Sequence, residues 1–183
     1  MPRILRFDRG FSLTELMLTV ALIATIAGTA LPVLTEVSAS IKLNEAARIV
    51  ERELQDARLK AVSSNRVLRV RMNCPSAGYI RTVEFVGTAA IDTAANRCVA
   101  TAYPFPPLDN DVMTRPNSDG PVRTLPNETT VSSSVIQFSP DGTSMQVIGG
   151  VAQAITTPVT ITITRRGKSK AVTINAIGKV QLQ

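Results

Sequence analysis

Histidine and tryptophan are absent from the 183 residues, and aromatic side chains of any kind make up only 4%. Without imidazole the chain lacks the commonest general base and the commonest metal ligand. Ser-His-Asp and Cys-His sites are therefore excluded. Ser169 and Lys170 are sequence neighbours, but no supporting motif surrounds them. The composition argues against an enzyme and implies neither a cofactor nor a metal site. With so few rings, the core must be aliphatic, in a chain long enough for one domain plus one extra element. Acid is the scarcer charge, 14 Asp and Glu against 20 Lys and Arg, a net of +6. Cysteine is limited to Cys74 and Cys98, whose spacing fits no zinc or redox motif. In an exported domain an even count favours one disulfide over two buried thiols. Closing a loop of about 25 residues would contribute on the order of 3 kcal/mol in the chain-entropy model.

Export is argued from the first 34 residues. Residues 1–10, MPRILRFDRG, carry Arg3, Arg6 and Arg9 against Asp8. Residues 11–34 follow as an apolar run interrupted by one ionisable side chain, Glu15. As a helix these residues would span about 36 Å, enough for a hydrocarbon core of about 30 Å. The basic flank places the N-terminus in the cytoplasm and everything after residue 35 outside it. An ordinary secretory signal is cut after its apolar run, and AGTA at residues 27–30 has the small-residue look of such a site. Two features argue otherwise: Gly10 sits before the run, and a carboxylate sits within it. A charge at that depth costs roughly 2.5–3.5 kcal/mol on insertion scales and normally has a partner.

The residues Arg9-Gly10-Phe11-Ser12-Leu13-Thr14-Glu15-Leu16 resemble the class III signal of type IV pilins and type II secretion pseudopilins. The resemblance implies that prepilin peptidase cuts after Gly10 on the cytoplasmic side and methylates the new N-terminus, Phe11. It also implies that Glu15 meets the terminal amine of a neighbouring subunit in a filament. That pairing is physically sound, because a buried carboxylate needs a cation and cleavage creates one four residues upstream. Pro32 falls where many of these proteins carry a helix-bending proline, and Gly28 is a second candidate bend. Locally, Pro32 reads as a kink or a helix break.

After the apolar run, Leu43, Ala47, Val50, Leu54, Ala57 and Ala61 recur at steps of four and three, one stripe on a helix. Glu45, Arg48, Glu51, Arg52, Glu53, Asp56, Arg58 and Lys60 fill the other face as a mostly solvated surface. Glu53 lies near Lys60, and Asp56 precedes Lys60 by four, a favourable orientation for a pair. Ser63-Ser64-Asn65 ends the helix, which is expected from about residue 12 to 62.

From residue 66 the pattern turns to short strands. Leu68, Val70 and Met72 alternate with Arg69 and Arg71. YIRTVEFV is a second strand, a polar loop leads to Cys98, and CVATAY is a candidate third. Residues 104–127 hold Pro104, Pro106, Pro107, Pro116, Pro121 and Pro126 and read as a long irregular surface connection. SVIQFS, SMQVIGG, PVTITIT, AVTINAI and KVQLQ complete the strands. Asn127-Glu128-Thr129 fits a glycosylation sequon and is taken as chance. Pro140-Asp141-Gly142 suits a type I turn. The run from Ile136 to Gly142 also resembles the F-x-P-x-G turn of GspH/FimT-type pseudopilins, and Gly178-Lys179-Val180 is similar to their closing strand.

The expected fold is α+β. A long bent N-terminal helix, transmembrane then amphipathic, packs on a β-rich domain of antiparallel sheets. The divisions are a leader at 1–10, a membrane or filament-core helix at 11–34, its amphipathic continuation at 35–64 and a periplasmic domain at 65–183. The implied protein is a minor pilin or pseudopilin of the inner membrane, with prepilin peptidase and other subunits as partners. An alternative rests on Arg165, Arg166, Lys168 and Lys170 at one hairpin tip. Such a cluster can grip phosphates, and some FimT-like pilins take up DNA through cationic residues of their C-terminal region. Against it stand the missing stacking platform and the plain reading of a charged turn that guards a sheet edge.

Overall fold

The computed structural model describes residues 11–106 and 116–183, so the leader, Gly10 included, lies outside the described residues. Two compact units are distinguished, Met1–Ser38 and Ala39–Gln183. One helix, α1 (Leu13–Ser64), contributes to both and runs unbroken through Gly28 and Pro32. In the first unit its apolar side chains lie exposed: Leu13, Leu16, Met17, Leu18, Val20, Leu22, Ile23 and Ile26. Among the described residues it is the one helix long and apolar enough to cross a membrane.

In the second unit the stripe read from the sequence is the buried face of α1. Leu43, Ala47, Val50, Leu54, Ala57 and Ala61 are each at most 4% exposed, and Ala46 joins them. Small residues at four of these seven positions let the backbone approach a sheet closely. The helix ends at Ser64, after which Asn65 takes a positive φ of 52°.

The strands are β1 (Leu68–Met72), β2 (Tyr79–Glu84), β3 (Val122–Thr124), β4 (Thr129–Val131), β5 (Val135–Phe138), β6 (Ser144–Ile148), β7 (Val151–Ala154), β8 (Val159–Arg165), β9 (Lys168–Ile174) and β10 (Val180–Leu182). They form two antiparallel sheets, of order β3-β2-β1-β5-β6-β7 and β10-β9-β8-β4. Leu68, Val70, Met72, Ile80, Ile136 and Phe138 from the first sheet share one core with Val131, Ile161, Ile163, Val172 and Ile174 from the second. The fold class is thus α+β, a helix on antiparallel sheets with an aliphatic core.

The opposite face of the six-stranded sheet carries Arg69, Arg71, Arg81 and Val83, by the pairings Arg69↔Val83 and Arg71↔Arg81. It is not solvated. A segment after β2, including the short α2 (Ala89–Asp92), lies over it, and a disulfide joins Cys74 to Cys98 with Cα atoms 5.2 Å apart. Here the structure corrects two expectations. The CVATAY segment is a chain of turns, with Val99 N–H bonded to Asn96 O and Tyr103 N–H to Val99 O. Its neighbouring carbonyls face Arg81 instead of a strand: Arg81 Nη1 donates to Arg97 O (3.0 Å) and Nη2 to Tyr103 O (2.6 Å). Nor is the proline-rich stretch wholly a surface connection. Asp119, Gly120 and Leu125 are buried, and β3 adds an edge strand beside Tyr79–Arg81.

The charged face of α1 is likewise less solvated than expected. Buried Glu53 accepts from Arg123 Nε at 2.6 Å, and Lys60 Nζ donates to Ser118 O at 2.9 Å. Both side chains reach the β3 region in place of an intrahelical pair.

Candidate assembly and ligand surfaces

The N-terminal site is a helix start. Ser12 O accepts the amides of Glu15 and Leu16, and Phe11 precedes the first turn, 78% exposed. Thr19 and Thr25 return their hydroxyls to the carbonyls of Leu16 and Leu22, each at 2.8 Å. These hydroxyls are therefore satisfied without water, as an apolar surrounding requires. The Glu15 side chain is exposed, and its carboxylate makes no hydrogen bond or ion pair among the described residues.

The basic hairpin tip is built differently from a phosphate grip. Arg166 and Gly167 form a two-residue turn with φ of 47° and 76°, both positive as a type I′ turn demands. Arg165 is buried; its Nε donates to Asn127 O (3.1 Å) and its Nη2 to Glu128 Oε2 (3.2 Å). Arg166 meets the same carboxylate with both Nε (2.6 Å) and Nη2 (3.1 Å). The Arg166 hydrogen bond, with the charges of Arg166, Arg165 and Lys42, holds the Glu128 carboxyl below the ordinary carboxylate range. The structure therefore divides the four predicted cations: Arg165 and Arg166 are committed to Glu128, while Lys168 and Lys170 make no ion pair among the described residues. In the sequence Glu128 appeared only within a chance sequon, because its partner Arg165 lies 37 residues away and no local period connects them.

A third cluster joins helix and sheets. Arg58, on α1, donates from Nε to Gly142 O (2.9 Å) and from Nη2 to Ile177 O (3.0 Å). It thus clasps the Pro140-Asp141-Gly142 turn to the Gly178 turn. Gly142 N–H closes the first turn on Ser139 O at 2.9 Å, and Asp141 Oδ1 caps it by accepting from the Thr143 amide and hydroxyl at 2.9 and 2.7 Å. Gly178, at φ 74°, closes the second on Asn175 O at 3.0 Å. Ser144 N–H to Ala176 O (2.9 Å) and Ser144 Oγ to Asn175 O (2.5 Å) tie the two sheets at the same place. Two separate sequence signatures are therefore one structural device.

Comparison with known proteins gives a family-model match over residues 46–178, described as Type II transport protein GspH. Among solved structures, the chain is similar to the type IV minor pilin FimU of Pseudomonas aeruginosa. The two are 18% identical, with 79% of this chain and 90% of that one covered and a TM-score of 0.48. It is also similar to the minor pseudopilin EpsH of the Vibrio cholerae type 2 secretion system, at 16% identity, 78% and 96% coverage and a TM-score of 0.45. No curated protein matches the chain. The family match lies within the helix-and-sheet unit and owes nothing to the apolar segment, which carries the pilin-like motif on its own. The chain belongs to the GspH family of type II transport proteins.

Proposed function

We propose that this protein is a minor subunit of a type IV pilus or type II secretion pseudopilus, without catalytic activity. It is anchored in the inner membrane with a cytoplasmic N-terminus and a periplasmic sheet unit. Prepilin peptidase removes residues 1–10 after Gly10 and methylates Phe11, and the mature chain assembles through residues 11–34, bending near Gly28 and Pro32. The observation that carries this reading is Glu15, an unpartnered carboxylate on an exposed apolar helix whose other end belongs to a GspH-family unit. The α-amino group created at Phe11 is a cation of the right kind, because a buried carboxylate left unpaired is strongly unfavourable.

The test is filament incorporation. Glu15→Ala is expected to leave membrane insertion and leader removal intact and to lower incorporation at least tenfold, read by immunoblot of sheared filaments. Incorporation at the wild-type level would refute the charge pairing. Gly10→Val is expected to leave the precursor uncut, because a branched side chain replaces none at the scissile bond.

DNA uptake through the hairpin tip has less support, since Glu128 neutralises part of the cluster. Lys168→Gln combined with Lys170→Gln removes the unpaired cations and leaves the Glu128 clasp in place. Binding of double-stranded DNA by the detergent-solubilised full chain should stay within about twofold of wild type. A loss of tenfold or more, with a salt slope smaller by about two, would make the tip a phosphate grip.

A further inference from the structure

The arginines on the outer face of the six-stranded sheet are more numerous than the fold can use. Arg69, Arg71, Arg81 and Arg97 crowd there, and the nearby acids are Glu84, Asp92 and Asp119, of which Glu84 is taken by Arg66 and the amides of Asn117 and Ser118. Arg71 stands directly across from Arg81 in the β1–β2 ladder, a like-charge pairing that costs stability. Arg81 is consumed by three carbonyls, those of Gly120, Arg97 and Tyr103. Arg69 stacks on Phe85 with its guanidinium 4.0 Å from the ring centre, and donates to Gln137 Oε1 at 2.9 Å. Asp92 is consumed too, accepting the amides of Val86 and Gly87.

Two guanidiniums keep donors without a partner, although the charge of Arg97 is paired with Asp119 and stacks over the Tyr103 ring at 5.1 Å. Arg97 is 1% exposed; its Nη2 serves Glu84 O and Asp119 Oδ1, but Nε and Nη1 are buried without a partner. Asp119 Oδ2 is buried without a partner as well. The Arg71 guanidinium makes no hydrogen bond or ion pair among the described residues, and burial, then the charge of Arg97, pushes its pKa down. Both line a cavity of about 280 Å³ with a floor of Val83, Val135 and Val147 and the Gly149-Gly150 turn at its edge. Unmet donors, buried on Arg97 and half-buried on Arg71, over an apolar floor form a site for an anion, since the acids of the lining, Glu84 and Asp92, are spent on other donors.

We infer that this cavity is a socket for a carboxylate presented by a neighbouring filament subunit, held by Arg71 and Arg97. The inference rests on the proposed role as a filament subunit, which supplies the partner. The cavity admits one side chain or a chain terminus. A nucleic-acid strand would present an internal phosphodiester flanked by sugars, too broad for Arg97 to reach. Planar carboxylate matches guanidinium in a bidentate pair, and an acid reaching into a positive cavity would also fix which subunit sits beside this one.

The test uses full-length protein in detergent, with arginine labelled at Nε and observed by NMR at constant ionic strength. N-acetylglutamate is expected to shift the Arg71 and Arg97 Nε–H signals saturably, and N-acetylglutamine amide, which carries no carboxylate, to leave them in place. Arg71→Gln should weaken that binding at least tenfold, while the Arg81 signal, fixed by Gly120 O, reports an unchanged fold. The variant relieves the Arg71–Arg81 repulsion, so its Tm should not fall. In cells, Arg71→Gln should enter filaments at least fivefold less than wild type. No saturable shift with N-acetylglutamate, or a response to inorganic phosphate alone, overturns the carboxylate assignment. Equal incorporation of variant and wild type overturns the docking role. A wild type that enters no filament strikes the subunit reading, and with it the subunit as source of the carboxylate, while the NMR titration still decides whether the socket exists.

Discussion

Gly178→Ala is expected to destabilise the sheet unit by about 3 kcal/mol or more, combining a clash with a strained backbone. A Cβ at Gly178 would lie 2.5 Å from both Gly142 O and Arg58 Nε, and 2.9 Å from Arg58 Cδ. One of those neighbours is backbone and cannot swing away. Moving Arg58 instead breaks its bonds to Gly142 O and Ile177 O, which hold both turns. The φ of 74° adds its own cost for a residue with a side chain. Thermal unfolding of the detergent-solubilised chain is the measurement, with Gly167→Ala as control. Gly167 also has a positive φ (76°), but a Cβ there meets nothing within 4 Å, so that variant should lose only about 1 kcal/mol. Equal losses at the two sites would mean that the clasp around Arg58 adds nothing.

The second large effect concerns Arg81. Arg81→Leu is expected to cost about 3–5 kcal/mol, because it leaves buried carbonyls without donors. The carbonyls belong to Gly120, Arg97 and Tyr103, three separate points of the segment lying over the sheet. Losing them should loosen that whole cover, so amide exchange should quicken from Val86 to Tyr103 well before it does in β8 and β9. Arg81→Lys should recover less than half, since an ammonium cannot reproduce a planar fork. Uniform exchange across the molecule would show that the cover and the core open as one unit.

Much of the architecture was legible in local pattern. The stripe from Leu43 to Ala61 announced its buried face because a helix repeats every 3.6 residues, and Leu68, Val70 and Met72 announced theirs through the period of two. The Pro140-Asp141-Gly142 turn was readable from residue chemistry. What misled was the segment around Cys98, where apolar and small residues imitate a strand although Arg81 takes their carbonyls. β4 and β7 were missed because each is a short edge strand, of three and four residues, with little alternation to detect.

The sequence by itself determined the apolar helix, its single carboxylate at Glu15, the buried stripe and the family's turn signatures. All of these are written in residues a few positions apart. Which charges are paired and which are idle was decided only by tertiary structure. Arg58 clasps turns 84 and 119 residues away, Glu128 disarms Arg165 and Arg166 across 37 and 38, and Arg97 meets Asp119 across 22. A guanidinium reads the same in a sequence whether it lies on a solvated face, beneath three carbonyls or beside a cavity. Its partner is set by β-sheet register and chain crossing, which bring together residues that no local period connects.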